Sequence, residues 1–504
     1  MSIMRIGGIA SGFDTEQIVE DMMRIERLPL DRLYQQKVRA EWQRDEYRSI
    51  NTKLTRLADM AFNLQFSGSY NLRQAVSSNK NIISVQATGD SHLGSYRIKV
   101  SQLASSGYVI SGDQIADKFS QFIADLEGSE EPFTIRLKGL DNADTEFTEI
   151  QLTANETIES FVRKVNTHKD LGVNVYYDEH EDRFVFTSKS TGVESNVVFD
   201  TADPNTKSFF EEVLATVPEG GTEYQWAKTE LGKNAILEIN GLQTERSSNT
   251  FVLNGTQITL HSTSEEEVRV EVNQDTDKIF NMIKDFVELY NEVIQEVNTK
   301  LSEPYYRDFP PLTEEQKKDM TEREIELWEE KAKSGLLRSD RMLSSIVTDI
   351  RNTLTSAVKG LDGISSLSQI GIKTGPWYEK GKLHIDEAKL RETINERGEE
   401  LVKLFTNSPG AESNEGAGIF RKLRTTLDNA TKQIIKKAGR DTNTYDQSSL
   451  SEQIRNYERR MELMEERLLT IENRYWAQFT AMEKALQQMY SQSDWLYQQL
   501  AALG

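Results

Sequence analysis

Side chains able to do covalent or metal chemistry are few in this chain, and their spacing is poor. With no cysteine it can form no disulfide, thiol nucleophile, zinc–thiolate site or iron–sulfur cluster. The five histidines, His92, His168, His180, His261 and His384, never take the helical spacing of a zinc protease motif. Gly7, Gly8 and Gly12 do not match Gly-x-Gly-x-x-Gly, follow no strand signal and lead to no Gly-Lys-Ser/Thr, so no phosphate cradle is expected there. Asp178-Glu179-His180-Glu181-Asp182 has cation-binding side chain types, but it joins two strand signals and reads as the polar tip of a hairpin. Asp141, Asp144 and Glu146 have part of a calcium-loop spacing without its glycine or distal glutamate. A glycosidase pair of carboxylates is defined by separation in space, which the sequence does not give. No catalytic, cofactor-binding or metal residue is selected, and the expectation is a chain that is not an enzyme and carries no cofactor.

What the spacing does specify is long helices. Asp14 with Gln17 reads as a helix N-cap and its partner. Leu33, Gln36, Ala40, Gln43, Tyr47, Ile50, Leu54, Leu57, Ala61 and Leu64 alternate steps of three and four, a heptad seam that becomes apolar from Tyr47 onward. Ser67-Gly68-Ser69 is the expected stop. A stronger seam closes the chain: Ile454, Tyr457, Met461, Met464, Leu468, Ile471, Tyr475, Phe479, Met482, Leu486, Met489, Ser493, Leu496 and Leu500. Consecutive four-residue steps around Tyr475 form a stutter that relaxes the supercoil. Ser449 with Glu452 is the expected capping box, and a helix of about 50 residues from there is about 75 Å long. The unbranched Met461, Met464, Met482 and Met489 suit adaptable packing. Gln487, Gln488, Gln498 and Gln499 leave the closing segment poor in charge, which suits burial against other subunits. The plainer reading of both seams is an intramolecular helical hairpin.

Between these ends the period changes to two. Ile83/Val85, Tyr96/Ile98/Val100, Phe133/Ile135/Leu137, Ile150/Leu152, Val173/Val175 and Phe184/Phe186 carry strand signals. Asn240-Gly241 and Asn254-Gly255 are hairpin turns, since both central residues must accept positive φ. Ile158, Phe161, Val162 and Val165 predict one amphipathic helix, making 108–228 a compact α+β insertion. Helical spacing returns at Ile279, Ile283, Phe286, Tyr290, Val293 and Val297, and again at Leu343, Ile346, Ile350 and Leu354, before a short strand at Leu383–Ile385. Glu314–Glu330, dense in Lys and Glu, predicts an exposed helix or loop with no packed core.

At 504 residues the chain is too long for one core. The fold class is therefore multidomain α+β: terminal helices pair as an antiparallel coiled-coil or bundle leg, and β-rich domains are nested between them. The expected limits are terminal helical segments at 1–45 and 455–504, mobile until assembled; a leg domain at 46–76 and 274–454; a β-rich domain at 77–107 and 229–273; and the insertion at 108–228. A formal charge of −21 would repel nucleic acid and anionic lipid. Apolar runs are far short of the ~20 residues of a membrane span, and the N-terminus lacks a signal-peptide core, so neither membrane insertion nor general secretion is expected.

Motifs at both ends carry a resemblance. Ile6-Gly7-Gly8-Ile9-Ala10-Ser11-Gly12-Phe13-Asp14-Thr15, followed by Ile18-Val19, Met23, Glu26 and Pro29, resembles the opening of the flagellar hook-associated protein 2 family. Gly94 to Ala104, Asp275-Thr276-Asp277 leading to Phe286-Val287-Glu288-Leu289-Tyr290-Asn291, Leu367 to Ile372 and Gly381 to Asp386 resemble later landmarks of the same family in order. Thr153–Gly192 resembles a repeat of flagellin and hook-associated proteins, while 303–333 matches no part of the pattern.

The resemblance implies a structural cap at the distal tip of the bacterial flagellar filament. Such a cap is exported by the flagellar type III apparatus without a cleaved signal peptide, promotes folding and insertion of flagellin, and prevents its loss. It implies self-assembly into a ring, five or six subunits or two such rings stacked, with flagellin, the hook–filament junction protein and a flagellar export chaperone as further partners. The expected assembly residues are Ile6, Ser11, Gly12, Asp14 and Ile18 in the opening motif and Tyr47, Ile50, Leu54 and Leu57 on the first seam. On the second they are Leu468, Ile471, Tyr475, Phe479, Met482, Leu486, Met489, Leu496 and Leu500. A flagellin-like or junction protein would share terminal coiled coils, but Ser11-Gly12-Phe13-Asp14 favours the cap. An extracellular carbohydrate-active enzyme would need a pocket with paired carboxylates.

Overall fold

The computed structural model describes residues 14–127, 132–140, 145–218, 221–408, 416–440 and 446–501, with residues 500 and 501 described by backbone alone. The chain enters α1 (Thr15–Leu64) at Asp14, whose Oδ1 accepts the Gln17 N–H at 3.1 Å. Pro29 lies within this helix and supplies no N–H, so one intrahelical bond is missing there. A 3-10 turn, Ser67–Tyr70, stops it, and the buried Tyr70 hydroxyl donates to the Leu64 carbonyl at 2.7 Å.

Residues 71–275 form a unit of their own. Its first sheet is antiparallel, with Arg73–Ser77, Val268–Gln274, Gly94–Gln102, Ala235–Ile239 and Leu242–Arg246 side by side. The pairing of Arg73 with Gln274 and Val76 with Glu271 carries this sheet across the 76/77 and 273/274 limits drawn from the sequence. Backbone pairing fixes those limits, and apolar spacing does not report it. Thr250–Leu253, Thr256–Leu260 and Ile83–Gln86 make a second sheet, and Ile83, Ile98, Val100, Leu237, Ile258 and Val270 share the core of this region. Both Asn-Gly turns have positive φ at each central residue: 50° and 84° at Asn240-Gly241, 48° and 79° at Asn254-Gly255. A side chain at 255 would meet the Asp90 carbonyl oxygen at 2.6 Å, so glycine is required there twice over.

Within the same unit α2 (Ile115–Asp125), α3 (Ile158–Thr167) and α4 (Pro204–Phe209) pack on two further antiparallel sheets. Their separate core is dominated by Phe119, Phe161, Phe184, Phe186 and Phe209 in edge-on or tilted contacts, such as Phe161 to Phe184 at 5.4 Å. The acidic tip 178–182 is a hairpin turn. Asp178 Oδ1 accepts the N–H groups of His180 and Glu181, and Asp182 Oδ1 accepts the Ala116 N–H at 2.9 Å and the Tyr177 hydroxyl at 2.7 Å. These carboxylates shape the turn and hold the start of α2. Among the described residues no three side chains form a candidate metal cluster; Asp141 and Asp144 lie outside those residues, as do Gly7, Gly8 and Gly12.

The chain then runs through α5 (Thr276–Ser302), α6 (Glu314–Lys318), α7 (Glu322–Lys333) and α8 (Arg341–Thr355) to a hairpin of Ile372–Thr374 with Leu383–Ile385. Next come α9 (Glu387–Glu396), α10 (Gly398–Thr406), α11 (Ile419–Ala438) and α12 (Ser449–Ala501). With α1 they form the second unit. All the seam positions expected on α5 and α8 are buried. The core closes around Phe420, 4.7 Å from Phe286 and 4.8 Å from Phe405 between ring centres. The cap of α12 lies one residue before the expected Ser449: Ser448 Oγ accepts the Ser451 N–H, and the Ser448 carbonyl accepts from Glu452. Asp446 sets that position by accepting from both the Ser448 N–H and the Ser451 hydroxyl. Among the described residues no helix is long and apolar enough to cross a membrane.

Candidate assembly surface

The two long helices run antiparallel. Tyr475 on α12 donates to Glu26 Oε1 on α1 at 3.0 Å, and Lys37 pairs with Glu458 at 3.1 Å. Tyr47, Ile50, Leu54 and Leu57 are all essentially inaccessible, on the helix that packs against α5, α11 and α12. Burial pushes the Tyr47 hydroxyl well above the ordinary tyrosine range, helped by its 2.5 Å bond to Asp340 Oδ2. Asp446 ties the start of α12 to α1 through Arg48 at 2.9 Å. Burial raises that carboxyl, but hydrogen bonds from Ser451 and Ser448 and the Arg48 charge outweigh it and hold the group below its ordinary value.

Further along the pair, Leu468 and Trp476 bury against Val19 and Met23, with Leu30, Met464, Ile471, Tyr475 and Phe479 packed around them. Ile18, one of the expected assembly residues, is half-buried, and its neighbour Val19 takes the place facing α12. The heptad count runs through Tyr475 and passes over Trp476. The stutter there turns the next residue inward, and two adjacent aromatics at a stutter are the signal that marks it. Beyond Phe479 the surroundings change. Leu486 is half-buried, whereas Met482, Met489 and Leu496 are exposed, the last two at 64% and 53%. Tyr490, Trp495 and Tyr497 are exposed beside them, off the heptad positions of the seam. Ile6, Ser11 and Gly12 lie outside the described residues, as does the side chain of Leu500; Asp14 serves as the α1 cap.

The charged segment differs from its expectation. Capping boxes Thr313/Gln316 and Thr321/Glu324 fold it into α6 and α7, and Trp328 gives it a small core, 4.7 Å from Phe309 and donating to the Pro310 carbonyl at 2.7 Å. Residues 303–340 lie along α1. Arg27 faces Glu315 at 3.8 Å, Arg39 lies over Tyr305 at 5.1 Å, Lys333 over Trp42 at 4.9 Å, and Gln43 donates to the Leu336 carbonyl at 3.2 Å.

Two family models match the chain: the flagellar hook-associated protein 2 N-terminus over residues 11–107 and its C-terminus over residues 232–491. A flagellar hook-associated protein 2 from Halalkalibacterium halodurans is 31% identical, over 97% of this chain and 98% of the relative. This chain belongs to the flagellar hook-associated protein 2 family. The Thermotoga maritima protein of the same name is 24% identical, over 98% of this chain and 96% of its own. Among solved structures the Escherichia coli flagellar cap protein FliD, domains D1 to D3, shares the fold with a TM-score of 0.53 and 20% identity, covering 82% of this chain and 99% of that one.

Proposed function

We propose that this chain caps the distal tip of the bacterial flagellar filament, where it promotes flagellin folding and insertion and prevents flagellin loss. The observation that carries the reading is the end of α12: a family member matched along nearly its whole length presents an uncovered apolar stripe on a helix of 53 residues. The terminal segments 1–45 and 455–504 enter the tubular assembly. The leg is formed by 46–76 and 274–454, less the residues that join the sheet unit, and the β-rich domain (77–107 and 229–273) and the outer insertion (108–228) are separate domains of the same subunit. Ile6, Ser11, Gly12, Asp14 and Ile18 with the exposed α12 positions contact neighbouring subunits, and Tyr47, Ile50, Leu54 and Leu57 hold the leg that presents them.

The partners are further copies of the chain in a closed ring of five or six, flagellin, the hook–filament junction protein and an export chaperone, and export uses the flagellar type III route. Burial of subunit surface drives assembly without turnover of a substrate. The decisive experiment complements a cap-deletion strain with the wild-type chain. Restored filaments are expected, and continued secretion of unpolymerised flagellin, with the protein exported and folded, would refute the role.

A further inference from the structure

The turn between Thr374 and Leu383 exposes side chains that its own fold does not use. Trp377 is 88% exposed and Tyr378 64%, on a 3-10 turn that follows Pro376. The backbone beneath them is fixed. The buried Tyr290 hydroxyl donates to the Gly381 carbonyl at 2.9 Å, Asn291 exchanges two hydrogen bonds of 2.8 Å with Leu383, and Asn298 donates to the Lys380 carbonyl at 3.2 Å. A rigid turn holding a Trp-Tyr pair in water has already lost the conformational freedom that binding would remove, and these residue types dominate interface hot spots.

The surrounding charge indicates the partner. Lys373, Lys380 and Lys382 enter no ion pair among the described residues: Lys380 donates to Ser302 at 3.3 Å and Lys382 to Gln295 at 2.6 Å. Glu379, the one carboxylate of the turn, is engaged by His384. A basic island on a chain of charge −21 is complementary to that chain's own surface. Its best-matched counterpart is the α6–α7 lobe. Glu314 to Glu330 holds eight carboxylates against three cations, and Leu327 is 45% exposed among them. Glu322 and Glu330 enter no ion pair among the described residues.

We propose that the Trp377-Tyr378 turn of one copy docks on the α7 lobe of the next copy, a head-to-tail contact of the kind that closes a ring. This deepens the cap reading and rests on it. The full-length chain should self-associate in sedimentation experiments, more weakly at high salt. Trp377→Ala with Tyr378→Ala should weaken association at least tenfold without moving the melting temperature. Lys373→Glu with Lys382→Glu should do the same, and adding Glu322→Lys with Glu330→Lys to that chain should restore at least half of the lost association. Unchanged association in the aromatic variant, or no recovery in the charge-swapped chain, overturns the contact. Loss of motility with association intact also overturns it, by assigning the turn to flagellin or another partner while the cap role stands. Weakened association with filaments capped normally would also overturn it as a contact of the ring, while the cap role stands.

Discussion

Two stretches of α12 have the same periodicity and different surroundings. From Ile454 to Phe479 the stripe lies against α1, with Leu468 and Trp476 closed off by Val19 and Met23. From Met482 to Leu496 it continues in phase while most of its large apolar side chains face water. Spacing identifies the apolar face of a helix and says nothing of what covers it. In the first stretch the cover belongs to the same chain, so substitutions there act on folding; on the cap reading proposed above, the second is covered by a partner and substitutions there act on assembly.

The widest separation of the two is expected for Leu496→Asp. Burying a Leu contributes roughly 1.5 to 3 kcal/mol, and a carboxylate placed in the same contact adds a desolvation penalty. With Leu496 already 53% exposed in the single chain, little of this is lost on folding. The variant should melt at the wild-type temperature and fail to cap filaments, leaving flagellin unpolymerised in the medium. Normal filament length would remove the second stretch from the assembly.

Trp476→Ala should show the opposite pattern. Emptying a buried aromatic site costs about 3 to 5 kcal/mol, and here the loss falls on the small cluster shared with Val19 and Met23 rather than on the leg core around Phe420. Amide exchange should rise in α12 near position 476 and in α1 near position 19, with little change in α5 and α8. Uniform loss of protection would merge the two regions into one cooperative unit.

Within the buried stretch of α1, Tyr47→Phe should cost about 1 to 3 kcal/mol by leaving Asp340 without its hydroxyl donor. Asp340 also accepts the Leu343 N–H at 2.9 Å and caps α8, so Asp340→Asn should preserve much of the cap while weakening the Tyr47 bond. Chemical denaturation of both variants and the double variant measures the coupling.

The helices, the two Asn-Gly hairpins and the inward positions of α5 and α8 were legible because one period or one turn type fixes each of them. Three features were not. Trp476 turns inward by one residue's rotation past the position that the heptad selects, and Val19 lies ahead of Leu33, the first residue of the seam. The 303–340 segment meets α1 through Tyr305 and Lys333 and closes on itself at Trp328, and these cation–π, stacking and indole contacts follow no period. The exposed Trp377 and Tyr378 sit in a turn, where apolar residues carry no pattern to read.

The smallest expected effect comes from pH and tests the link between the start of α12 and α1. Asp446 is held below its ordinary carboxyl value of 3.8 in the folded chain. A carboxyl depressed by folding adds stability that is complete above its unfolded pKa, about 3.9, and that disappears as pH falls through the lower folded value. The Asp446 contribution should therefore be constant from neutral pH down to about 5 and decline below about 4. Asp446→Asn removes the charge facing Arg48 and keeps an acceptor for Ser451, so it should lower stability at pH 7 and flatten the acid limb in the same measurement. If the variant and the wild type lose stability in parallel below pH 4, other carboxylates control the acid limb, and the Arg48 bridge does not fasten α12 to α1.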